Sequence, residues 1–345
     1  MHSILLGNGK HHLTILNESP GKLYYIGADV TMGAINNRLM TIRPPTSLPR
    51  MPRDFFSYAS WKANEWLVWI LFFAVPCLLE LLPIEYVAHL NMLTSVLHIF
   101  LKKSISPEEL NAAHIVALRY VFLFQQYFGR EQMVINVHLL MHMKNSIKYL
   151  GPSWTNMAFG FEGANKRMLE MKKGTSSVAQ EMVSKYLSFR ALPLLCNKFA
   201  SSRETLKFCE KLSGRPLLKS VLRVENIVLV GKGKRTTLSD EENACLLTKV
   251  SAPQKPVLTY DKFFMDGVRF ATAAHCQAAA KDDSFVSVSG ESRGIIQKIL
   301  CLEGSGHPTY LLVRELVLSE TPLFDDEFGR LSPLQKVPFG CYGDS

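Results

Sequence analysis

Residues 106–129 read SPEELNAAHIVALRYVFLFQQYFG, and this stretch predicts a long amphipathic helix. Ser106 and Glu109 have the spacing of a capping box, and Pro107 occupies the first helical position, where its missing N–H is no loss. The apolar side chains that follow recur at intervals of three and four residues: Leu110, Ala113, Ala117, Val121 and Phe124. Gly129 predicts the end of the helix, so one long face is expected to lie against a helical core.

The chain on either side of this helix is also expected to be mostly helical, from about residue 54 to residue 190. A second helix is predicted from about 134 to 150, because glycine at 151 terminates a helix and the following proline cannot continue it. Further helices are expected near 84–103, 161–172, 176–190 and 202–212. Before them, residues 1–50 predict a short helix and then an extended connector rich in glycine and proline, since proline fixes φ and disfavours helix in the preceding residue.

An apolar run from Trp66 to Leu79 raises the alternative of a membrane segment. The run is shorter than the about 20 apolar residues that a spanning helix needs, and Pro76 interrupts it. At the N-terminus, residues 1–7 are too few for the apolar region of a secretory signal, and Lys10 follows closely. We therefore expect a buried core helix, no contact with a membrane, and a nuclear or cytoplasmic location.

After Gly214 the pattern changes to short segments that are rich in β-branched and aromatic residues and separated by Gly, Ser and Asp. The predicted strands are 221–230, 256–264, 284–289, 294–302 and 308–317. So many short strands in one block predict a small barrel or sandwich. The pair DSFVSVSG (283–290) and GIIQKI (294–299) resembles the first hairpin of SH3-like barrels, including bromo-adjacent-homology domains.

The chain has 345 residues, which allows two or three domains. The predicted divisions are an N-terminal segment with its Pro-rich connector at 1–53, a helical domain at 54–195, a linker helix at 196–219 and a small β domain at 220–340. The excess of 39 Lys and Arg over 30 Asp and Glu gives a net charge of +9, which favours polyanionic partners. The seven cysteines are dispersed and contain no Cys-x-x-Cys pair, which predicts free thiols in a reducing compartment.

Ten short blocks occur in a fixed order within residues 1–190. They are MHSILLG (1–7), YYIG (24–27), INNRL (35–39), IRPP (42–45), PRMPR (49–53), WKANEW (61–66), NVHLLMH (136–142), GPSW (151–154), FGFE (159–162) and GT (174–175). In these blocks the chain resembles the C-terminal half of the transposases of the CACTA (En/Spm) class of DNA transposons. Two departures are the sequence GANK at 163–166, where Asp-x-Asn-Gly is commoner, and the more apolar stretch at 66–75.

The resemblance implies a catalytic role for two residues of this chain. Related transposases hold two divalent ions between acidic side chains of an RNase-H-like fold, and the ions activate the attacking oxygen and stabilise the leaving one. By position in the family pattern, Glu162 is the third acid and His2 is the histidine that follows the second acid. The first two acids are expected upstream of Met1, so the chain alone is expected to hold no such ion and to catalyse no strand cleavage. Mg²⁺ or Mn²⁺ is implied for the full-length ancestor.

The expected fold class is α+β. A mainly helical N-terminal region, with a partial RNase-H-like remnant in residues 1–53 and a helical insertion after it, is expected to precede the small β-rich, barrel-like domain.

His138 and His142 are candidate metal ligands. Four residues apart on the predicted helix, they share one face, and two such imidazoles can bind the same ion. In the family, a pair of this kind accompanies a Cys-x-x-Cys upstream of the region present here. The alternative is that both are partly buried histidines, bonded to backbone or carboxylate among Leu139, Leu140 and Met143, because two ligands do not complete a zinc site.

Three basic clusters are candidate DNA contacts: Arg43, Arg50 and Arg53; Lys166, Arg167, Lys172 and Lys173; Lys232, Lys234 and Arg235. The middle cluster is the best candidate, because one predicted helix would present Lys166 and Lys173 on the same side, beside Glu162. Because the side chains of this cluster would neutralise backbone phosphates, we expect weak DNA binding without sequence preference. A merely solvated charged face is the alternative.

Two functions therefore remain open. One is a transposase-derived fragment that was ancestrally DNA-binding and strand-cleaving. The other is a non-enzymatic protein- or chromatin-interaction module, in which the C-terminal β domain contacts a protein partner.

Overall fold

The computed structural model describes residues 3–48, 50–199, 202, 204–205, 208, 220–250, 257–287, 293–302 and 308–316. The fold class is α+β, as predicted, with helices up to residue 199 and antiparallel strands from residue 221. Most of the predicted helix at 202–212 and most of the predicted linker at 196–219 lie outside the described residues.

The helices are α1 (Lys10–Asn17), α2 (Asp29–Thr41), α3 (Ala63–Val68), α4 (Ala74–Leu78), α5 (Ile84–Phe100), α6 (Pro107–Phe128), α7 (Ile135–Leu139), α8 (Met143–Leu150), α9 (Phe159–Glu170), α10 (Val178–Phe199), α11 (Asp240–Leu247) and α12 (Ala273–Cys276). Shorter helical segments are π-helical at Ser3–Gly9 and Trp69–Phe73 and 3₁₀-helical at Phe55–Ser60, Arg130–Gln132, Leu140–His142 and Ser153–Asn156.

Helix α6 confirms the prediction from its sequence. The Ser106 hydroxyl accepts from the Glu109 N–H at 3.2 Å, and the Glu109 carboxylate accepts from the Ser106 N–H at 3.1 Å. The helix ends where Gly129 takes a left-handed φ of 95°, which glycine adopts without steric cost. The predicted apolar stripe lies in the core, with Ala113, Ala117 and Phe124 fully buried.

One apolar core joins the helices from Ile4 to Ile147. It includes side chains on both sides of the predicted boundary at residue 53, such as Ile35 of α2 and Trp66 of α3. Helices α5 and α6 pack against each other at its centre. The domain division itself stays a prediction.

The apolar run at 66–79 is a core element, as predicted. Trp66, Trp69 and Leu78 are buried, and the run changes from α3 to a π-helical turn before α4. Pro76 lies inside α4 and cannot donate to the preceding turn. Two carbonyls of the π-helical turn accept hydrogen bonds from side chains of α5. The Thr94 hydroxyl lies 2.9 Å from Ile70 O, and His98 Nε2 lies 3.3 Å from Leu71 O. Within the described residues, no helix combines the length and the apolarity that crossing a bilayer requires.

Helix α2 is an element that the sequence interpretation missed. Residues 29–41 were expected to be part of an extended connector, and they are helical. Tertiary contacts explain the difference, because Ile35 and Leu39 are buried in the core and the Arg38 guanidinium donates to the carbonyls of Cys77 and Leu79. These contacts override the weak local preference of a segment that contains Gly33.

Nine strands of the described residues form two antiparallel sheets. They are β1 (Val221–Val224), β2 (Ile227–Val230), β3 (Lys234–Thr236), β4 (Val257–Tyr260), β5 (Lys262–Met265), β6 (Val268–Ala271), β7 (Phe285–Ser287), β8 (Arg293–Leu302) and β9 (Thr309–Leu316). The first sheet has the order β1-β2-β5-β6. In the second, of order β3-β4-β8-β7, β9 also pairs with β8.

The sheets differ from the sequence prediction in two respects. Residues 221–230 and 256–264 were each expected to be one strand, but each range contributes to two, since a turn with Glu225 at φ 49° divides the first and Asp261 divides the second. The predicted hairpin of β7 and β8 is confirmed, with Phe285 opposite Ile295. The two sheets pack through one apolar cluster that includes Leu229, and over the described residues they do not close into a barrel, which was one of the two predicted architectures beside a sandwich.

The connector at residues 43–48 is bonded to the β region, and we call these contacts the connector clamp. Asp283, whose side chain is buried, accepts from Thr46 N at 2.7 Å and from the Thr46 hydroxyl at 3.0 Å, and it pairs with Arg269 at 3.4 Å. Arg43 pairs with Asp282 at 3.4 Å and donates to Cys276 O at 2.7 Å. Three further bonds belong to the clamp: Arg43 to Gln277 O, Asp282 N to Pro44 O, and Lys281 Nζ to Leu48 O.

Candidate functional site

His138 and His142 face each other at the surface. His138 lies in α7 and His142 ends the 3₁₀ turn that joins α7 to α8, so the predicted helix at 134–150 exists but is tightened once in the middle. Both side chains are exposed, and their Nε2 atoms are 3.1 Å apart. The alternative of two partly buried histidines bonded to backbone or carboxylate is therefore wrong, because each imidazole bonds to the other.

The spacing of these two nitrogens fits bidentate binding of one metal ion. With metal–nitrogen bonds of about 2.0–2.1 Å, two ligands at a tetrahedral angle are about 3.3 Å apart, and two at a right angle are about 2.9 Å apart. The observed 3.1 Å lies between these values. Over the described part of the chain, no group of three or more His, Cys, Asp or Glu side chains converges as a metal site. The geometry of the pair therefore fits two of the ligands of a metal ion.

Glu162 lies in the first turn of α9 with an exposed side chain. A carboxylate there is favourable on structural grounds, because it offsets the positive end of the helix dipole, and the preceding Ala158 supplies no side-chain cap. His2, the other predicted catalytic residue, lies outside the described residues. The catalytic assignment of both stays a prediction.

The basic cluster Lys166, Arg167, Lys172 and Lys173 is exposed, but it is arranged differently from the prediction. Helix α9 ends at Glu170, so Lys172 and Lys173 lie in the turn after the helix and not on its surface. The reason is local, since Gly174 and the residues after it do not continue a helix before Val178. Lys166 also makes an exposed ion pair with Glu170 at 3.7 Å, a type of pair that contributes little to stability.

Glu181 of α10 fixes the turn that carries Lys172 and Lys173. Its carboxylate accepts from the backbone N–H of Gly174 at 3.1 Å and of Lys173 at 3.3 Å, and it pairs with Lys185. Lys185 Nζ in turn donates to Met171 O at 2.9 Å. The hydrogen bond from Lys185, followed by those from the two N–H groups, lowers the pKa of Glu181 to about 2. The carboxylate is therefore ionised, and the turn is held, at all ordinary pH values.

The other two basic clusters are partly used within the protein. Arg50 and Arg53 pair with Glu65, a carboxylate that is only 1% exposed, at 3.6 and 2.8 Å. Burial raises the pKa of Glu65, but the hydrogen bonds from Arg53 and from Lys62 N and the charge of Arg50 lower it on balance. Arg43 belongs to the connector clamp, and Lys234 pairs with Asp261 at 3.1 Å.

A buried polar network in the helical core was missed by the sequence interpretation. The Tyr120 hydroxyl lies 3.2 Å from Asn8 Oδ1 and 3.1 Å from His12 Nδ1, and His89 Nε2 lies 2.9 Å from the Tyr120 carbonyl. The rings of His89 and Tyr120 stack with centroids 4.3 Å apart. The network joins the N-terminal segment to α5 and α6.

Burial keeps both histidines of this network neutral. Desolvation lowers the pKa of His12 well below its ordinary value, with smaller contributions from His89 and His11. Desolvation also lowers the pKa of His89 to about 4, although its hydrogen bond to Tyr120 opposes the shift. One signal was present in the sequence, since Tyr120 falls on the apolar stripe of α6 between Ala117 and Phe124. No local pattern could have identified Asn8 and His12 as its partners, since both lie more than a hundred positions away.

The comparisons with known proteins do not identify the chain. No protein-family model, no curated protein and no solved structure matches it.

Proposed function

We propose that this chain is a transposase-derived protein that binds DNA weakly and without sequence preference and does not by itself cleave it. The observation that carries the binding part is the exposed basic cluster of α9 and its following turn, which Glu181 and Lys185 hold in place. A fixed set of cations costs less entropy to bring against a phosphate backbone than mobile side chains on a mobile loop. The order of the short blocks along residues 1–190 supports the descent from a CACTA-type transposase.

Such a role requires access to DNA, so we propose a nuclear or cytoplasmic location. The His138–His142 pair is proposed to supply two ligands of a metal ion that braces the helical region, as Zn²⁺ does when it links separate chain segments. Mg²⁺ or Mn²⁺ is assigned only to the ancestral reaction, with Glu162 as one of its ligands.

The DNA-binding proposal is tested with the triple variant Lys166→Ala/Lys172→Ala/Lys173→Ala. Removing one phosphate-binding cation from a duplex interface reduces the salt slope, d log K/d log [salt], by about 0.9, so removing three reduces it by about 2.7. Fluorescence anisotropy with a labelled duplex, measured over a range of salt concentrations, gives both the affinity and the slope.

The matched control is Lys22→Ala/Lys62→Ala/Lys249→Ala, which removes the same charge from exposed positions elsewhere. If both triple variants weaken the affinity and the slope equally, only net charge matters and the cluster is not the interface.

A second function is favoured by one observation on α10. This helix exposes many large apolar side chains: Val183, Tyr186, Leu187, Phe189, Leu194, Leu195 and Phe199. An apolar surface of this extent is typical of a contact with another protein, so a non-enzymatic protein- or chromatin-interaction module is the alternative. The two functions are distinguished by Leu187→Ser/Leu194→Ser, which should leave DNA binding unchanged and weaken a protein complex.

A further inference from the structure

A cleft of ≈ 620 Å³ lies between the start of α6 and the face of α8, beside the end of α5. Its lining includes the three lysines Lys103, Lys144 and Lys148, together with the apolar side chains of Ile105, Leu110 and Ile147. The cleft is separate from the basic cluster on α9, and none of the sequence predictions included it.

Within the part of the chain that the structure describes, the three lysines of the cleft make no ion pair. Among those residues, an ion pair engages the neighbouring Lys102, with Glu109 at 2.5 Å, but none engages Lys103, Lys144 or Lys148. Lys144 and Lys148 lie four residues apart on α8 and therefore share a face, where like charges repel. Burial, followed by the charge of Lys144, also lowers the pKa of His114 on the neighbouring α6. Uncompensated positive charge on a concave surface favours an anionic ligand.

Two exposed aromatic rings lie next to Lys103 and Lys148, just outside the lining of the cleft. Trp154 is 48% exposed, and its Nε1 donates to Lys102 O at 3.2 Å, which fixes the indole beside Lys103. Tyr149 is 78% exposed, and Lys148 Nζ lies 5.8 Å from the centre of its ring. The other three tryptophans, at positions 61, 66 and 69, are buried in the core.

We propose that this cleft binds single-stranded nucleic acid. Lys103, Lys144 and Lys148 hold successive backbone phosphates, and Trp154 and Tyr149 stack against bases. Grooves that combine cations with aromatic platforms bind single strands, because every base has a face to stack, at about 1–3 kcal/mol per base. A duplex keeps its base faces inside the helix and gains only the phosphate contacts. An acidic peptide would likewise use the lysines but leave the aromatic faces without a partner.

The inference rests on the proposed function only in taking the ligand to be nucleic acid, since the cleft shares no residue with the cluster on α9. Its first test uses intrinsic fluorescence, because Trp154 is the one tryptophan that solvent and ligand can reach. Oligo(dT) of about 12 nucleotides, within the usual range of site sizes, is titrated into the full chain. Saturable quenching of tryptophan emission is expected, and Trp154→Phe should remove the quenching while retaining most of the affinity.

The second test neutralises the cleft with Lys144→Gln/Lys148→Gln. Two phosphate contacts to a single strand correspond to a salt slope of about 1.4, which is about a 25-fold loss of affinity at 0.1 M salt. The matched control Lys22→Gln/Lys249→Gln removes the same charge from exposed sites and should weaken binding much less. Circular dichroism checks that all variants fold alike.

Three outcomes would overturn the inference: no quenching by oligo(dT), equal weakening in the cleft and control variants, or equal quenching by polyglutamate, which would identify an acidic-peptide site. The two proposals also fail separately. If the α9 triple variant no longer binds duplex while oligo(dT) leaves Trp154 unaffected, the cleft proposal fails and the DNA-binding function stands. If oligo(dT) quenches Trp154 while the α9 variant binds duplex normally, the α9 interface fails and the cleft stands.

Discussion

At the scale of single residues, the buried histidines predict instability in acid. Below pH 6.5 the unfolded chain protonates its histidines, whereas folded His89 stays neutral until about pH 4. Acid therefore favours the unfolded state, and the free energy of unfolding should fall by about 3 kcal/mol between these two pH values from His89 alone. Urea denaturation followed by the helical circular dichroism signal measures this slope.

The variant His89→Leu should reduce the pH dependence by the contribution of His89, whereas buried His12 keeps its own contribution. The control Thr94→Val changes a buried polar side chain of the same helix that does not titrate in this range, so it should leave the slope near that of the parent chain. If the free energy of unfolding of His89→Leu depended on pH as steeply as that of the parent chain, His89 would not contribute to the instability in acid.

The exposed pair His138 and His142 predicts metal binding by chelation. Because both nitrogens must bind one ion, His138→Gln and His142→Gln should each abolish the uptake of Zn²⁺ measured by isothermal titration calorimetry. His275→Gln, in the β region, is the control. Adding a chelator should return the parent chain to the melting temperature of the variants. Binding that survives either single variant would exclude a shared ion.

Glu162 tests the catalytic implication of the resemblance. A lone carboxylate cannot hold two strongly hydrated ions, because such ions keep their waters unless several oxygens converge. Residues 1–345 should therefore cleave no DNA strand with Mg²⁺ or Mn²⁺. Glu162→Gln should lower stability by less than about 1 kcal/mol, the scale of an interaction with a helix dipole. Robust metal-dependent cleavage by this chain would contradict the proposal.

At the scale of elements, the turn at residues 171–174 depends on one side chain of α10. Glu181→Gln removes the charge that binds the N–H groups of Lys173 and Gly174, so hydrogen exchange at these two amides should become faster. Glu170→Gln is the matched control, because it removes an exposed ion pair with Lys166 that bonds no amide of the turn. Equal protection in both variants would mean that the turn is held by other contacts.

The elements also show which parts of the fold the sequence could predict. Helix α6 was predictable because its cap, its stripe and its terminating glycine are local signals. Helix α2 was not, because buried Ile35 and Leu39 and the long-range bonds of Arg38 stabilise it. The division of 221–230 into β1 and β2 was not predictable either. Glu225 takes a left-handed φ in the turn between them, and glutamate is not a residue type that favours this conformation.

The candidate site was predictable in part for similar reasons. The i, i+4 spacing placed His138 and His142 on one face, as the structure has them. The spacing could not reveal that they bond to each other, because that depends on exposure. The lysine cleft and the buried network consist of residues from separate helices. A periodic pattern within one helix cannot predict contacts between helices.

At the scale of the whole molecule, the connector clamp changes what limited proteolysis should show. The division predicted from the sequence, with a linker at 196–219 and a β domain at 220–340, implies that cleavage near 196–220 yields a separate β fragment. The bonds of the buried Asp283 side chain to Thr46 and the pairing of Arg43 with Asp282 imply that the fragments stay associated after the cut. Size-exclusion chromatography of the nicked protein should give one peak at the parent position.

The variant Arg43→Ala/Thr46→Val removes the side-chain bonds that these two residues make in the clamp, and the nicked variant should separate into two peaks. Arg38→Ala, which removes bonds within the helical region only, serves as control. Dissociation of the nicked parent protein would show that the clamp is too weak to hold the two regions together.

The single core from Ile4 to Ile147 also has a consequence during synthesis. The Ser3–Gly9 segment packs against α1 and α3 but also against α7, and Asn8 bonds to Tyr120, so its last partners are translated more than a hundred residues after it. Translation proceeds at about 5–20 residues per second. The apolar side chains of α1 and α3 are therefore exposed for on the order of ten seconds before α6 and α7, which help to bury them, are synthesised. Transiently exposed apolar surface makes a folding chain prone to aggregate, so truncated messages that end before α7 should yield aggregates.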